Sequence, residues 1–170
     1  MFVVQQELND RVKMALDARF REDILSYEQQ YDMMVITVNK KCINEILRFL
    51  YDETFLKFQF LTTLCGIHYP ESDKPLGVVY HLHSFKNNQR IRIKTFTEIN
   101  NPVFPTATNI WKTANWMERE TFDFFVLVFD GHPNLKRILN TDDFEGFPLR
   151  KEFPLEDQTR EDKNNSMFGR

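Results

Sequence analysis

Between Phe58 and Phe96 the chain reads as three successive extended runs, Phe58–Ile67 (FQFLTTLCGI), Leu76–Phe85 and Arg90–Phe96. Only short polar stretches part them. The first gap opens on Tyr69-Pro70 and continues through Glu71–Lys74, and the second is centred on Asn87-Asn88, a pair suited to a tight turn. A parallel return would need a crossover of a dozen residues or more, so these neighbours must pair antiparallel. A β-meander of these three neighbouring strands is therefore expected.

Ahead of it, Val4, Leu8, Val12 and Leu16 recur every four residues with Val3 and Ala15 beside them, which predicts an amphipathic helix ending near Arg19. Met33–Val38 (MMVITV) is β-branched enough for a buried strand, whereas Ile43, Ile46, Leu47 and Leu50 step at helical spacing and predict a helix over 41–52. After the meander, Pro102 and Pro105 interrupt regular structure. Thr108-Asn109 is expected to cap a helical stretch carrying Trp111, Trp116, Glu118–Glu120 and Phe122–Phe125. This order predicts an α+β fold with a mixed, largely antiparallel sheet and helices packed on it. Residues 1–126 are expected to form the domain, 127–155 an extended C-terminal interface arm, and 156–170 a polar, mobile tail with almost nothing to bury.

The residue inventory excludes several chemistries. Cys42 and Cys65 are the only cysteines and stand 23 positions apart, so the chain cannot supply a four-thiolate zinc site or an iron–sulfur cluster. They are expected to be unpaired thiols packed as small apolar groups in a reducing compartment. The five glycines, Gly66, Gly77, Gly131, Gly146 and Gly169, are too dispersed to cradle a phosphate. No secretory leader is expected, because polar Gln5–Glu7 follows Met1–Val4, and the apolar run Phe124–Phe129 is too short to cross a bilayer. A net charge of −3 argues against a polyanion as the main partner.

Some side chains nevertheless cluster by pattern. His81 and His83 share one face of a strand but have no cysteine or carboxylate on that face to complete a metal shell. Arg90, Arg92 and Lys94 share a face of the next strand near Phe85 and Phe96, which suits either a charged sheet face or a sheet-based nucleic-acid-binding module. Glu118, Glu120 and Asp123 fall within one and a half helical turns, with Arg119 placed to pair with Asp123 at i,i+4. Phe144–Leu155 (FEGFPLRKEFPL) strings aromatics along a proline-restricted segment that is expected to dock on a partner.

One of these clusters carries a specific resemblance. Glu118-Arg119-Glu120, then Asp123-Phe124-Phe125, His132, Lys136 and Ile138-Leu139 fit a family pattern of ERE, two residues, an acid, two hydrophobics, six residues, His or Lys, three residues, Lys or Arg, one residue, two hydrophobics. This resembles the C subunit of bacterial NADH:quinone oxidoreductase, the thirty-kilodalton subunit of mitochondrial complex I. Asn109-Ile110-Trp111, Ala114-Asn115-Trp116, Gly131-His132-Pro133, Arg137-Ile138-Leu139 and Asp142–Leu155 (DDFEGFPLRKEFPL) extend it across about 109–155. One position departs: Val126 stands where the family usually has glycine, and a valine reaches positive φ only at a cost.

The resemblance implies a non-catalytic peripheral-arm subunit that scaffolds the quinone-site D subunit beside the subunit with the terminal iron–sulfur cluster. The assembly would be a proton-translocating NADH:quinone oxidoreductase using NADH, FMN, iron–sulfur clusters and quinone, with no cofactor in this chain and no activity of the chain alone. It would sit peripherally on the cytoplasmic face of the bacterial inner membrane, touching the membrane only through the complex. Glu118, Arg119, Glu120, Asp123, His132, Lys136 and Arg137 would form a charged elbow, with Phe124 beside them in the family motif and predicted interface. Phe144, Glu145, Gly146, Pro148, Leu149, Arg150, Lys151, Phe153 and Pro154 would supply the interface. The alternative within the resemblance is the equivalent subunit of a related complex fed by ferredoxin or F420.

Overall fold

The computed structural model describes residues 2–154, with side chains from Gln5 onward. The stripe positions Val3 and Val4, the interface position Leu155 and the tail expected over 156–170 lie outside the described side chains or residues. The elements run α1 (Phe2–Phe20), β1 (Ile24–Gln30), β2 (Met33–Val38), α2 (Ile43–Asp52), β3 (Phe60–His68), β4 (Leu76–Ser84), β5 (Gln89–Thr97), β6 (Val103–Pro105), α3 (Ala114–Phe125) and β7 (Val128–Asp130).

The architecture is α+β, with a mixed sheet in the order β1-β2-β5-β4-β3. The expected meander is present as β3-β4-β5, and β1 pairs β2 antiparallel; within this sheet only β2 against β5 is parallel. Asn88 takes φ +47° in the β4–β5 turn, and the Asn87 side-chain amide donates to the carbonyls of Phe55 and Leu56, fixing the hairpin to the loop after α2. β1 (ILSYEQQ) is not legible in the sequence, because an edge strand with half its residues polar has no alternation to show.

Period-2 alternation puts Met34, Ile36 and Val38, then Val78, Tyr80 and Leu82, then Ile91 and Ile93 on one face. There they meet Val12 and Leu16 of α1, Ile43, Ile46, Leu47 and Leu50 of α2, and Ala114 and Phe125 of α3, in one continuous apolar core. Each such side chain contributes about 1.5–3 kcal/mol of burial before entropy is counted. The core continues past 126, since Leu127 and Phe129 are fully or almost fully buried and β7 pairs β6 in a second small sheet.

Two details differ from expectation. Thr108-Asn109 does not cap a helix: α3 begins at Ala114, and Thr106–Thr108 instead form a turn in which the Thr108 amide donates to Thr106 Oγ1. Cys65 is exposed on the outward side of β3 and not packed inside, while Cys42 is partly buried; both are free thiols.

At the end of α3, Val126 adopts the left-handed conformation, φ +62°, while its amide donates to the Phe122 carbonyl. Just before it, Phe125 lies so close to Gly66 of β3 that a Cβ there would stand 2.5 Å from the ring, so the helix end is locked against the sheet. That lock holds a β-branched residue in a region costing about 1–2 kcal/mol. Val126→Gly should therefore raise unfolding free energy by roughly 0.5–1 kcal/mol, the relieved strain exceeding the added chain entropy. Chemical denaturation of the full chain checks it, and a clear loss of stability would refute the strain.

Candidate functional site

The charged run of α3 is directed into the chain itself. Glu118 and Asp123 are fully buried and Arg119 nearly so, whereas Glu120 is exposed. What packs on the helix gives this split: Thr106 and Ala107 cover Glu118, residues 136–140 cover Arg119 and Asp123, and Glu120 is left exposed.

Asp123 is the most heavily used. Its Oδ2 accepts from the backbone amides of Ile138, Leu139 and Asn140 at 3.2, 2.8 and 2.9 Å, and Oδ1 accepts from the Asn140 side-chain amide at 2.9 Å. Burial alone would raise the carboxyl's pKa, but these four donors outweigh it and hold the group below the ordinary carboxylate range. The expected i,i+4 pair with Arg119 does not form. Arg119 turns to donate from Nε to the Lys136 carbonyl at 3.0 Å and from Nη2 to the Arg137 carbonyl at 3.3 Å, with its guanidinium stacked 5.1 Å over Trp116. A carboxylate collects amides and a guanidinium collects carbonyls from one stretch of backbone, so residues 136–140 are gripped from both sides.

The clamp then passes along the chain. Arg137 Nη1 donates to the carbonyls of Phe144 (2.8 Å) and Thr141 (3.4 Å), with its Nε 3.9 Å from Asp123. Arg150 Nε returns to the Phe125 carbonyl at 2.9 Å, satisfying one orphan acceptor at the end of α3, and its guanidinium lies 4.8 Å over the Phe147 ring. The amide of Leu149 donates to Phe124 O and that of Lys151 to His68 Nδ1 at the end of β3. Gly146, at φ +108°, permits a turn that brings Phe153 against it, 6.0 Å from Phe144. Residues 131–154 thus fold back on α3 without helix or strand, held mostly by side chains reaching backbone.

Glu118 forms a separate centre. Its Oε2 accepts from the Thr106 hydroxyl and Oε1 from the Ala107 amide, each at 2.6 Å. His132 lies 4.0 Å away with both side chains sealed from solvent; its Nδ1 accepts from the Asn134 amide, so Nε2 carries the proton and points at Asn115 O. Burial, only partly offset by the two donors, pushes the Glu118 carboxyl up to about 7.

What remains outward is Glu120, Lys136, Glu145, Lys151 and Pro154, the half-buried Phe124, Phe144, Phe147, Pro148 and Phe153, and the exposed Trp116, Leu139 and Leu149. Asn140, Thr106, Trp116 and Leu139 carry roles that the sequence pattern does not assign. Only the spacing of Asn140 from the ERE run could have marked it, and nothing linear marks Thr106. His81 and His83 stay on the sheet face, and among the described residues no three His, Cys, Asp or Glu come together to hold a metal.

The Respiratory-chain NADH dehydrogenase 30 Kd subunit model matches residues 36–159. The C subunit of the NADH-quinone oxidoreductase of Roseiflexus sp. (strain RS-1) is 42% identical over 147 residues, spanning 86% of this chain and 84% of the relative. Among solved structures, a trypsin-resistant fragment (1-134) of Nqo5 superposes with a TM-score of 0.64 at 26% identity, covering 75% of this chain and 99% of the fragment. A chain of the archaeal membrane-bound sulfane sulfur reductase shares the fold, with a TM-score of 0.72 at 22% identity over 86% of this chain and 85% of that one.

Two outcomes follow from the clamp. Asp123→Ala leaves three amides unpaired and should destabilise the full chain by roughly 3 kcal/mol or more. Arg119→Glu should likewise lower its melting temperature, because the new carboxylate would face two carbonyls. Thermal melts of both variants check this. For Glu118 the sign is opposite to the usual carboxylate. Its folded pKa lies above its unfolded one, so its contribution to stability is complete below about pH 4.5 and falls by up to about 3 kcal/mol as pH rises to about 7. Glu118→Gln should lose that fall, and denaturant titrations at pH 5 and 8 measure the difference.

Proposed function

Because the chain belongs to the family of the respiratory-chain NADH dehydrogenase 30-kDa subunit, we propose that it is a non-catalytic peripheral subunit of a proton-translocating NADH:quinone oxidoreductase and scaffolds the quinone-site subunit. The observation that carries this reading is the clamp. A segment rich in aromatics is fixed on α3 by Asp123, Arg119, Arg137 and Arg150, whose hydrogen bonds go to positioning backbone. The product is a shaped surface bearing Trp116, Leu139 and Leu149, apolar residues exposed at 64%, 61% and 52%.

NADH, FMN, iron–sulfur clusters and quinone belong, in this reading, to other subunits, and the chain alone is inactive. Its neighbours would be the D subunit and the subunit with the terminal cluster, on the cytoplasmic face of the bacterial inner membrane. Among the described residues no helix is long and apolar enough to cross a membrane, so the attachment would run through those neighbours. The fold shared with a sulfane sulfur reductase chain supports keeping a second reading, an equivalent subunit of a complex with another donor such as ferredoxin or F420.

Placing charge at the two exposed leucines separates docking from folding. Leu139→Glu with Leu149→Glu should leave the melting of the full chain nearly unchanged but detach it from membranes. NADH:quinone activity there should fall by about tenfold or more, the effect of losing roughly 1.4 kcal/mol of association. Wild-type NADH:quinone activity in membranes carrying the double variant would refute the scaffold, and activity with reduced ferredoxin or F420 but not NADH would select the second reading.

A further inference from the structure

All three helices pack on one face of the five-stranded sheet, and the residues that alternate with the core point the other way. On that outward face the register sets Val35, Arg92, His81 and Thr63 side by side, with Arg90, His83 and Phe60 on one flank and Thr37, Lys94, Val79 and Cys65 on the other. None of these belongs to the apolar core cluster. In a chain of net charge −3, the middle of this face carries three cations.

Those cations are available. Among the described residues none of Arg90, Arg92 and Lys94 pairs with a carboxylate. The acid nearest in register is Glu28 on edge strand β1, whose oxygens accept from the Ser26 hydroxyl and the Gln30 amide, and Glu120 of α3 lies near Cys65 at the far flank; neither is within ion-pair distance of the three cations. Arg92 is held along the sheet by donating from Nε to His81 Nε2 at 2.7 Å and from Nη1 to Gln30 Oε1 at 3.0 Å, which leaves its other N–H groups free. Two buried ring nitrogens here, His81 Nδ1 and His83 Nε2, have no partner. Beside the cations stands an aromatic cluster: Phe85 lies 4.6 Å from the His83 ring and 5.3 Å from that of Phe60, and it is 69% exposed.

We infer that this sheet face is a second docking surface, which takes an acidic segment of a neighbouring subunit, its carboxylates on Arg90, Arg92 and Lys94 and an apolar side chain against Phe60 and Phe85. The inference rests on the chain working within an assembly. Charge complementarity selects the occupant. A second copy of this chain would bring the same three cations against these and be repelled. Nucleic acid needs many phosphate contacts to bind at physiological salt, and here only three cations stand in a row, with aromatics beyond each end, Phe60 and Phe85 past Arg90 and Phe96 with Tyr69 past Lys94, and none between the cations for base stacking. The clamp around α3 and this face would then give the subunit two independent attachments.

The test places the photo-crosslinking residue benzoylphenylalanine at Phe85 in the full chain, within the assembled complex in membranes, and maps the attached peptide by mass spectrometry. The expected attachment is to a segment of another subunit with clustered Asp or Glu beside the labelled position. Yield should drop severalfold in R90Q/K94Q, a variant whose replaced side chains are not in the core, and further in R90E/K94E. Attachment to an acid-poor segment, to a second copy or to RNA, absence of attachment, or yields unaffected by both variants would each overturn the inference. If the chain co-purifies with NADH:quinone activity yet fails this test, only the second surface falls; if it does not co-purify, the assembly reading falls with it.

Discussion

Three backbone amides converging on the Asp123 carboxylate are what the functional half of this molecule depends on. Residues 131–154 have no ladder of their own, and buried polar backbone must find partners somewhere. Asp123 supplies acceptors and Arg119 supplies donors to the same five residues, so an irregular segment acquires a defined course without secondary structure. Because charged groups make roughly twice the bond that neutral ones do, few side chains suffice. Removing either side chain would leave the backbone groups that it holds without their partners.

The sheet gives the clamp something rigid to stand on. β3 packs against α3, and the close approach of Phe125 to Gly66 leaves no room for the helix to slide. Two local costs accompany this arrangement. Val126 sits at positive φ so that the chain can turn from α3 into β7, and Glu118 is buried although its charged form is disfavoured there. Both lie at the junction between domain and C-terminal segment, where the surrounding core is large enough to hold them.

A one-sided sheet also explains how the same chain can offer two different surfaces. The clamped segment presents apolar side chains from an irregular backbone, while the outward sheet face presents cations and aromatics from regular strands. Because the two surfaces lie on different elements, each can be altered without disturbing the other.

The meander, the amphipathic α1 and α2, and the family are legible in the linear chain, because alternation, helical spacing and the run Glu118–Leu139 are local signals within one segment. The same run marks Glu118, Arg119 and Asp123 as special. It misleads about what they do: spacing suggests an exposed Arg119–Asp123 pair, but which way a helix turns its residues depends on what packs against it. The roles of Thr106 and Asn140 and the parallel pairing of β2 with β5 emerge in three dimensions alone, since each joins positions through space with no periodic trace along the chain. The edge strand β1 arises the same way, from the hydrogen-bonding edge that β2 offers to a half-polar segment. Local propensity fixed the elements, and long-range burial of backbone polar groups fixed how they meet.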